Sequence, residues 1–297
     1  MNGLLLVDKP AGITSHDVVD RIRRAAGTRR VGHTGTLDPG ATGLLVLCLG
    51  AATRLSEHLT GLDKVYEGAM RLGLVTDSYD MDGKVVAESP VPADLTMADI
   101  QRACDGFAGE IMQVPPMVSA VKVGGERLYK RARQGEVVER AARQVTVREF
   151  RVLNYEAPDA QIRVKCTRGT YVRSLCHDVG QVLGCGGILA SLRRTFVGQF
   201  SVEDALPVDQ FTDRDQVVAR LKPIETALTL PSVTVRSASR GAVVSGTALN
   251  PDDLVSGCPV SKGWVQMKSE SGRLLALGEV HAGPMGLWIH PKRVFVE

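Results

Sequence analysis

The residue of this chain best suited to chemistry is a single carboxylate in a loop spaced by glycines. The loop covers residues 32–43, with the sequence Gly-His-Thr-Gly-Thr-Leu-Asp-Pro-Gly-Ala-Thr-Gly, and its Asp38 is the only acid between Asp20 and Glu57. Pro39 disfavours helical backbone angles at Asp38 and favours an extended or turn conformation, while the glycines let the backbone approach a ligand closely. A lone acid on a tight loop, with arginines around it, is a candidate catalytic carboxylate.

Other kinds of chemistry fit this loop less well. It lacks the Gly-Lys-Ser/Thr of a nucleotide P-loop, and a two-carboxylate glycosidase would need a second acid, which the sequence places nowhere beside Asp38. The run Ser15-His16-Asp17 has the residue types of a catalytic triad, but adjacent residues on a helix do not face one another. A turn aspartate that hydrogen-bonds its own backbone remains the alternative for Asp38.

Strands and helices in mixed order surround the loop. The apolar run over 44–49 is typical of a buried strand, and further strands are predicted over 3–7, 65–72 and 162–167. Helices are predicted from Thr14 to about Ala26, from Thr96 to about Phe107, and between Gly169 and Gly184. This order predicts an α+β fold and not a repeating βαβ arrangement.

The pattern changes near Thr229, where short strands with glycine turns begin. These strands are predicted over Val233–Val235, Ala242–Val244, Trp264–Lys268, Leu274–Val280 and Val294–Val296. Such a pattern is typical of a small β-barrel or sandwich. The sequence therefore predicts two domains, over 1–228 and 229–297.

Composition and charge are those of an ordinary globular protein with local basic clusters. The 297 residues are 44% hydrophobic and 23% charged, and the net charge is only +3. Basic residues concentrate over 21–30 and 122–151, which fits a polyanionic partner bound on one face. Solvated helix faces balanced by nearby glutamates are the alternative explanation.

Cysteine usage and the N-terminus predict a cytoplasmic protein without structural metal. The six cysteines form no C-x-x-C pair and no zinc-ligand spacing, and nothing indicates a disulfide framework. The N-terminus lacks the features of a signal peptide, and no apolar run approaches membrane-spanning length. No membrane partner is expected.

Several separated motifs extend over nearly the whole chain. In chain order they are Leu4-Leu5-Leu6-Val7-Asp8-Lys9-Pro10, the 32–43 loop, Asp63-Lys64-Val65-Tyr66, Thr76-Asp77-Ser78 with Asp80 and Gly83, Pro115-Pro116, Arg168-Gly169-Thr170-Tyr171-Val172-Arg173 and Leu192-Arg193-Arg194. Together they resemble the bacterial tRNA pseudouridine synthase B (TruB) family.

That resemblance implies a fold and an activity. The expected fold is a mixed, mainly antiparallel-sheet pseudouridine synthase catalytic domain followed by a small all-β, PUA-like RNA-binding barrel. The expected activity is isomerisation of uridine to pseudouridine at position 55 in the T-arm of tRNA, by a stand-alone enzyme. Separately, a monomer is expected because the sequence shows no coiled coil or obvious assembly segment. The family needs no guide RNA, metal or organic cofactor for this reaction.

The resemblance also implies roles for particular residues. Asp38 is the expected nucleophile, either attacking the ribose C1′ or assisting glycal formation, and Arg173 is expected to pair with it. Tyr66 is expected to stack on the uracil and is a candidate base for the C5 proton; an ordinary half-buried strand tyrosine is the alternative. His33 is expected to hold the target nucleotide out of its stack. The expected pocket walls are Tyr171 and Leu192, although core packing competes as an explanation for Leu192.

The basic segment over about 114–148 resembles a clamp for the T-arm. Its candidate RNA contacts are Lys122, Arg127, Lys130, Arg131 and Arg133. Two other functions stay open at this point: a tRNA-binding or tRNA-folding protein without catalysis, and a guide-RNA-dependent pseudouridine synthase.

Overall fold

A computed structural model describes residues 1–119, 122–123, 126–128, 131, 136, 138–257, 262–283 and 286–295. Its α-helices are α1 (Ser15–Ala26), α2 (Ser56–Gly61), α3 (Met97–Asp105), α4 (Val172–Val182), α5 (Arg214–Ala219) and α6 (Arg240–Ser245). Short 3-10 helices cover Gly50–Leu55, Val202–Asp204, Val208–Gln210, Ile224–Thr226, Ser237–Ser239 and Pro251–Asp253. Among the helices of these described ranges, none is long and apolar enough to cross a membrane.

The strands fall into two larger sheets and two short hairpins. Their bounds are β1 (Gly3–Lys9), β2 (Val31–His33), β3 (Thr42–Leu49), β4 (Lys64–Leu72), β5 (Leu74–Thr76), β6 (Val85–Glu88), β7 (Gly109–Gln113), β8 (Lys122–Val123), β9 (Glu126–Arg127), β10 (Arg143–Glu156), β11 (Asp159–Cys166), β12 (Gly187–Val197), β13 (Phe200–Ser201), β14 (Leu206–Pro207), β15 (Ser232–Val235), β16 (Leu254–Ser256), β17 (Gly263–Lys268), β18 (Leu274–Gly283) and β19 (Gly286–Val294).

The larger sheet contains ten of the described strands, and the loop that carries Asp38 leads into its strand β3. Its order is β14-β1-β3-β12-β4-β11-β10-β7, with β2 beside β3 and β13 beside β12. Most neighbours are antiparallel, and the β1–β14 and β3–β12 pairs are parallel. This mixed, mainly antiparallel sheet with helices confirms the predicted α+β fold class.

The apolar run over 44–49 is a strand buried on both faces. Leu44, Val46 and Cys48 belong to one core cluster, and Leu45, Leu47 and Leu49 belong to another on the opposite face. Each side of the strand is therefore covered by hydrophobic side chains, which explains why the sequence shows a continuous run instead of an alternation.

Helix α1 begins and ends where the sequence predicts. Thr14 and Asp17 form a reciprocal capping box at its N-terminus. Gly27 ends it in the left-handed conformation, with φ of 62°. Its buried face, which includes Val18 and Ile22, packs on the sheet core. Its first residue, Ser15, is hydrogen-bonded to the backbone of Leu37, so the first turn of the helix lies beside the loop that carries Asp38.

A separate sheet of five described strands lies between Ser232 and Val294, in the order β16-β15-β17-β18-β19. One prediction here is wrong, because residues 242–244 lie in α6 and not in a strand. Only Val243 of that helix is buried. The short apolar run around it led to the prediction of a strand. The domain division at 228/229 and the PUA-like assignment remain predictions.

Candidate active site

The loop that carries Asp38 ends where two central strands, β3 and β12, pair over a short stretch. Strands β3 and β12 are joined at only two residue pairs of the described chain, Thr42 with Arg193 and Gly43 with Arg194. Gly43 has φ of 101°, and a Cβ there would lie 2.4 Å from the carbonyl oxygen of Arg194. Only glycine allows this approach, so the end of the loop is held directly against β12.

Two buried side chains fix the backbone on either side of Asp38. The Lys9 ammonium donates to the carbonyl oxygens of Pro39 at 3.2 Å and Ala41 at 2.7 Å. The Ser15 hydroxyl exchanges hydrogen bonds with the backbone of Leu37, at 2.8 and 3.1 Å. The Asp38 side chain itself is 54% exposed. A rigid backbone thus presents an accessible carboxylate.

Arg173 meets the Asp38 carboxylate from the first turn of α4. Its Nη2 lies 2.9 Å from Oδ2 of Asp38, and its Nη1 lies 3.1 Å from Oδ2 of Asp80. The same guanidinium donates to the carbonyl oxygens of Ser78 at 3.1 Å and Val118 at 2.8 Å. The Arg173 side chain is 5% exposed, so a buried guanidinium holds a carboxylate that solvent still reaches.

Asp80 is the second acid that the sequence could not place beside Asp38. Its carboxylate accepts a hydrogen bond from the Ser78 hydroxyl and another from the backbone N–H of Asp82 at 3.1 Å. The loop between β5 and β6 therefore holds Asp80 against Arg173. Because the two carboxylates share one guanidinium, the site is an arginine-bridged pair of acids.

Tyr66 lies on β4, opposite Arg194 of β12 and Val164 of β11. Burial raises the pKa of its phenol, and the negative charge of Asp38 adds to that rise. The positive charge of Arg194 opposes the rise. The charge of Asp38 therefore affects the pKa of the Tyr66 phenol.

His33 lies at the start of the loop, at the end of β2, and Tyr171 lies directly before α4. The backbone N–H of Gly35 donates to Nδ1 of His33 at 3.3 Å, and burial lowers the pKa of the imidazole. A neutral ring that accepts this bond suits contact with a base better than proton delivery. The backbone of Tyr171 is held by both amide atoms of the Gln113 side chain, at 2.8 and 3.0 Å.

For Leu192 and the basic segment, the structure shows fewer contacts that relate them to the loop that carries Asp38. Leu192 is half-buried and packs against the core cluster beneath β4, while its carbonyl oxygen accepts from Thr42 Oγ1 at 3.5 Å. Lys122 and Arg127 lie on the paired strands β8 and β9, of which only the backbone is described. Arg131 forms an ion pair with Glu136, with Nε and Oε2 at 3.2 Å. The remaining clamp candidates, Lys130 and Arg133, lie outside the described residues.

The structure adds two residues for which the sequence predicts no role at the site. Asp80 and Arg194 belong to motifs of the chain, but nothing in their spacing indicates contact with Asp38, Tyr66 or the loop. Their contacts depend on how the sheet brings distant segments together. The only sequence signal was their position inside the motifs that carry the family resemblance.

Comparisons with known proteins agree with this geometry. Residues 23–172 match the N-terminal domain of TruB family pseudouridylate synthases, and residues 173–229 match a tRNA pseudouridylate synthase B C-terminal domain. A tRNA pseudouridine synthase B of Opitutus terrae is 50% identical over 229 residues, which cover 76% of this chain and 95% of that protein. The same-named protein of Heliobacterium modesticaldum is 41% identical over 302 residues, covering 99% and 96%.

A solved structure supports the same class. The structure of an H/ACA RNP bound to a substrate RNA containing 2′-deoxyuridine aligns with a TM-score of 0.76 and 26% identity, over 99% of this chain and 85% of that one. Fold and relatives together define the class as pseudouridine synthases. Within that class, the chain belongs to the TruB family.

Proposed function

We propose that this protein isomerises uridine to pseudouridine at position 55 in the T-arm of tRNA, without a guide RNA, and that Asp38 carries the central step. Relatives at 40–50% identity are named tRNA pseudouridine synthase B. The observation that carries the assignment is the exposed Asp38 carboxylate held 2.9 Å from the buried Arg173 guanidinium. We also propose that the protein works as a monomer in the cytoplasm.

The reaction makes three demands on the site. The bond between C1′ and N1 breaks, the base turns while bound, and a bond between C1′ and C5 forms as the C5 proton is lost and N1 gains one. Asp38 either attacks C1′ directly or assists formation of a glycal; both routes need a carboxylate. Arg173 keeps that carboxylate oriented while Tyr66 stacks on the detached uracil and takes the C5 proton.

The target uridine must leave its stack before this chemistry can begin, which costs on the order of a few kcal/mol. We expect His33, Tyr171 and Leu192 to supply the contacts for the extruded nucleotide. The basic segment over about 114–148 clamps the T-arm through its phosphates, and the C-terminal domain adds RNA contacts. Affinity from such contacts falls steeply with salt.

A guide-dependent synthase and a pure RNA binder are less well supported. Identity to the H/ACA protein is 26%, against 50% and 41% for two of the tRNA synthases. A binder has no need of an accessible carboxylate bridged to a second acid by a buried arginine.

The purified protein alone is incubated with unmodified tRNA transcript carrying tritium at C5 of uridine. We expect about one equivalent of tritium to enter water per tRNA, from position 55. A transcript with cytidine at that position is the matched control and should release none. No release from the normal transcript at intact RNA affinity would instead support a binder or a guide-dependent enzyme.

Tyr66→Phe separates stacking from proton removal. The ring and its packing survive, so we expect unchanged tRNA affinity; the loss of the acid–base group lowers single-turnover release by about 10²–10⁴-fold. Tyr155→Phe is the control, since Tyr155 packs against the same core cluster without facing the loop. Full turnover by Tyr66→Phe would exclude Tyr66 as the base.

A further inference from the structure

Arg194 is a buried cation whose hydrogen bonds span the loop that carries Asp38. Its side chain is 2% exposed. Nε donates to the carbonyl oxygen of Leu44 at 2.7 Å, Nη2 to that of Gly35 at 3.1 Å and Nη1 to that of Thr36 at 3.5 Å. Gly35 and Thr36 precede Asp38 and Leu44 follows it, so one guanidinium binds the backbone on both sides of Asp38.

The charge of Arg194 is not neutralised by a carboxylate within the described part of the chain, in contrast to Arg173 and Arg193. A guanidinium stays protonated in proteins, and a buried charge without a counter-charge is costly unless its donors are satisfied. Burial lowers the pKa of the Lys64 ammonium to about 8, and the charge of Arg194 adds to that shift. It acts in the same direction on Lys9 and His33.

The same guanidinium also reaches Tyr66. The two residues are direct cross-strand partners on β12 and β4, and the positive charge of Arg194 lowers the pKa of the buried phenol. The charged or titratable groups that act on the phenol are Arg194 from β12, Cys166 from β11 and Asp38 from the loop. Of these, only Arg194 lowers the pKa of Tyr66.

We propose that Arg194 is a positioning residue that holds the Asp38 loop and the Tyr66 phenol in one frame, so that carboxylate and phenol face the same nucleotide. This role rests on the proposed isomerisation. The planar fork of arginine suits it, because its nitrogens point in fixed directions towards both ends of the loop. A lysine ammonium is a single point that cannot reach all of these carbonyl oxygens.

Two variants test the role. Arg194→Lys keeps a buried cation but loses the fork, and we expect single-turnover tritium release to fall about 100-fold while tRNA affinity stays unchanged, because loss of alignment slows the reaction without weakening binding. Arg194→Met removes the charge and the donors to all three carbonyl oxygens, and we expect it to lower tritium release at least as much as Arg194→Lys. Measuring both keeps the test decisive if one variant fails to fold. Arg193→Lys is the control, since Arg193 pairs with Asp8 outside the loop.

The pH dependence of the rate separates positioning from general damage. If Tyr66 acts as a phenolate base, loss of the Arg194 charge raises its pKa, so the ascending limb of the rate profile moves to higher pH in Arg194→Met. Arg194→Lys keeps the charge and should show a lower rate with little movement of that limb. A structural defect would lower the rate at every pH without moving the limb.

The outcomes are distinguishable from failure of the proposed function. An active wild-type protein together with wild-type rates and pH profiles in the folded Arg194 variants would overturn the positioning role alone. A wild-type protein that releases no tritium would overturn the proposed function and this role with it. A loss of tRNA affinity that accounts for the whole loss of rate would also contradict the role, because it would make Arg194 an RNA-binding residue.

Discussion

We expect Asp38→Asn to abolish tritium release from tRNA while tRNA affinity stays at its wild-type level. Asparagine has the shape of aspartate and can keep the turn in which the Ala41 N–H donates to the Asp38 carbonyl oxygen at 3.1 Å. It lacks the charge that would attack C1′ or assist glycal formation. Loss of a nucleophile typically costs ~10⁴-fold or more in rate, so single-turnover release should fall to the detection limit.

The matched control for this prediction is Asp82→Asn. Asp82 is an exposed acid near the loop that carries Asp38. A Cβ added to Gly40 of that loop would lie 3.6 Å from Oδ2 of Asp82. It forms no ion pair with Arg173, unlike Asp38 and Asp80. We therefore expect near wild-type release. Measurable turnover by Asp38→Asn, or equal losses in both variants, would contradict the assignment of Asp38.

The elements of the site could be predicted because their signals are local. Thr14 and Gly27 mark the ends of α1 through caps that involve only neighbouring residues. The continuous apolar run over 44–49 indicates a strand buried on both faces, and the structure shows a core cluster on each side. Asp38 stands out because no other acid lies near it in the sequence.

The contacts between these elements could not be predicted in the same way. Asp80 meets Arg173 because the loop between β5 and β6 folds back onto α4, which is a long-range event. Arg194 offers even less signal, since a fully buried arginine held by backbone carbonyl oxygens contradicts the usual preference of charged residues for the surface. Such a residue is understood only once its partners are known.

Helix α6 shows the opposite error, in which a local signal misled. The sequence over 242–244 is short and apolar, with Gly246 two residues further on, which is equally typical of a strand end and of a short helix. Gly246, with φ of 77°, accepts the left-handed conformation that ends the helix. Short apolar runs leave this choice to tertiary packing.

Arg173→Lys should lower single-turnover release by about 10²–10³-fold at unchanged tRNA affinity. The guanidinium places one nitrogen at 2.9 Å from Asp38 and another at 3.1 Å from Asp80, and a lysine ammonium cannot hold both carboxylates at these positions. Asp38 then loses its fixed orientation, and misplacement by about 1 Å can cost ~10²-fold. Quenched single-turnover assays measure the rate of tritium release, and filter binding measures the tRNA affinity separately.

Arg71→Lys is the control that isolates this effect from the general cost of replacing an ion-paired arginine. Arg71 forms a bidentate pair with Asp159, at 2.8 Å for both contacts, on the same strand as Tyr66. It should lose little activity because its partner lies outside the site. Equal losses in Arg71→Lys and Arg173→Lys would contradict a role that depends on the contacts of Arg173 with Asp38 and Asp80.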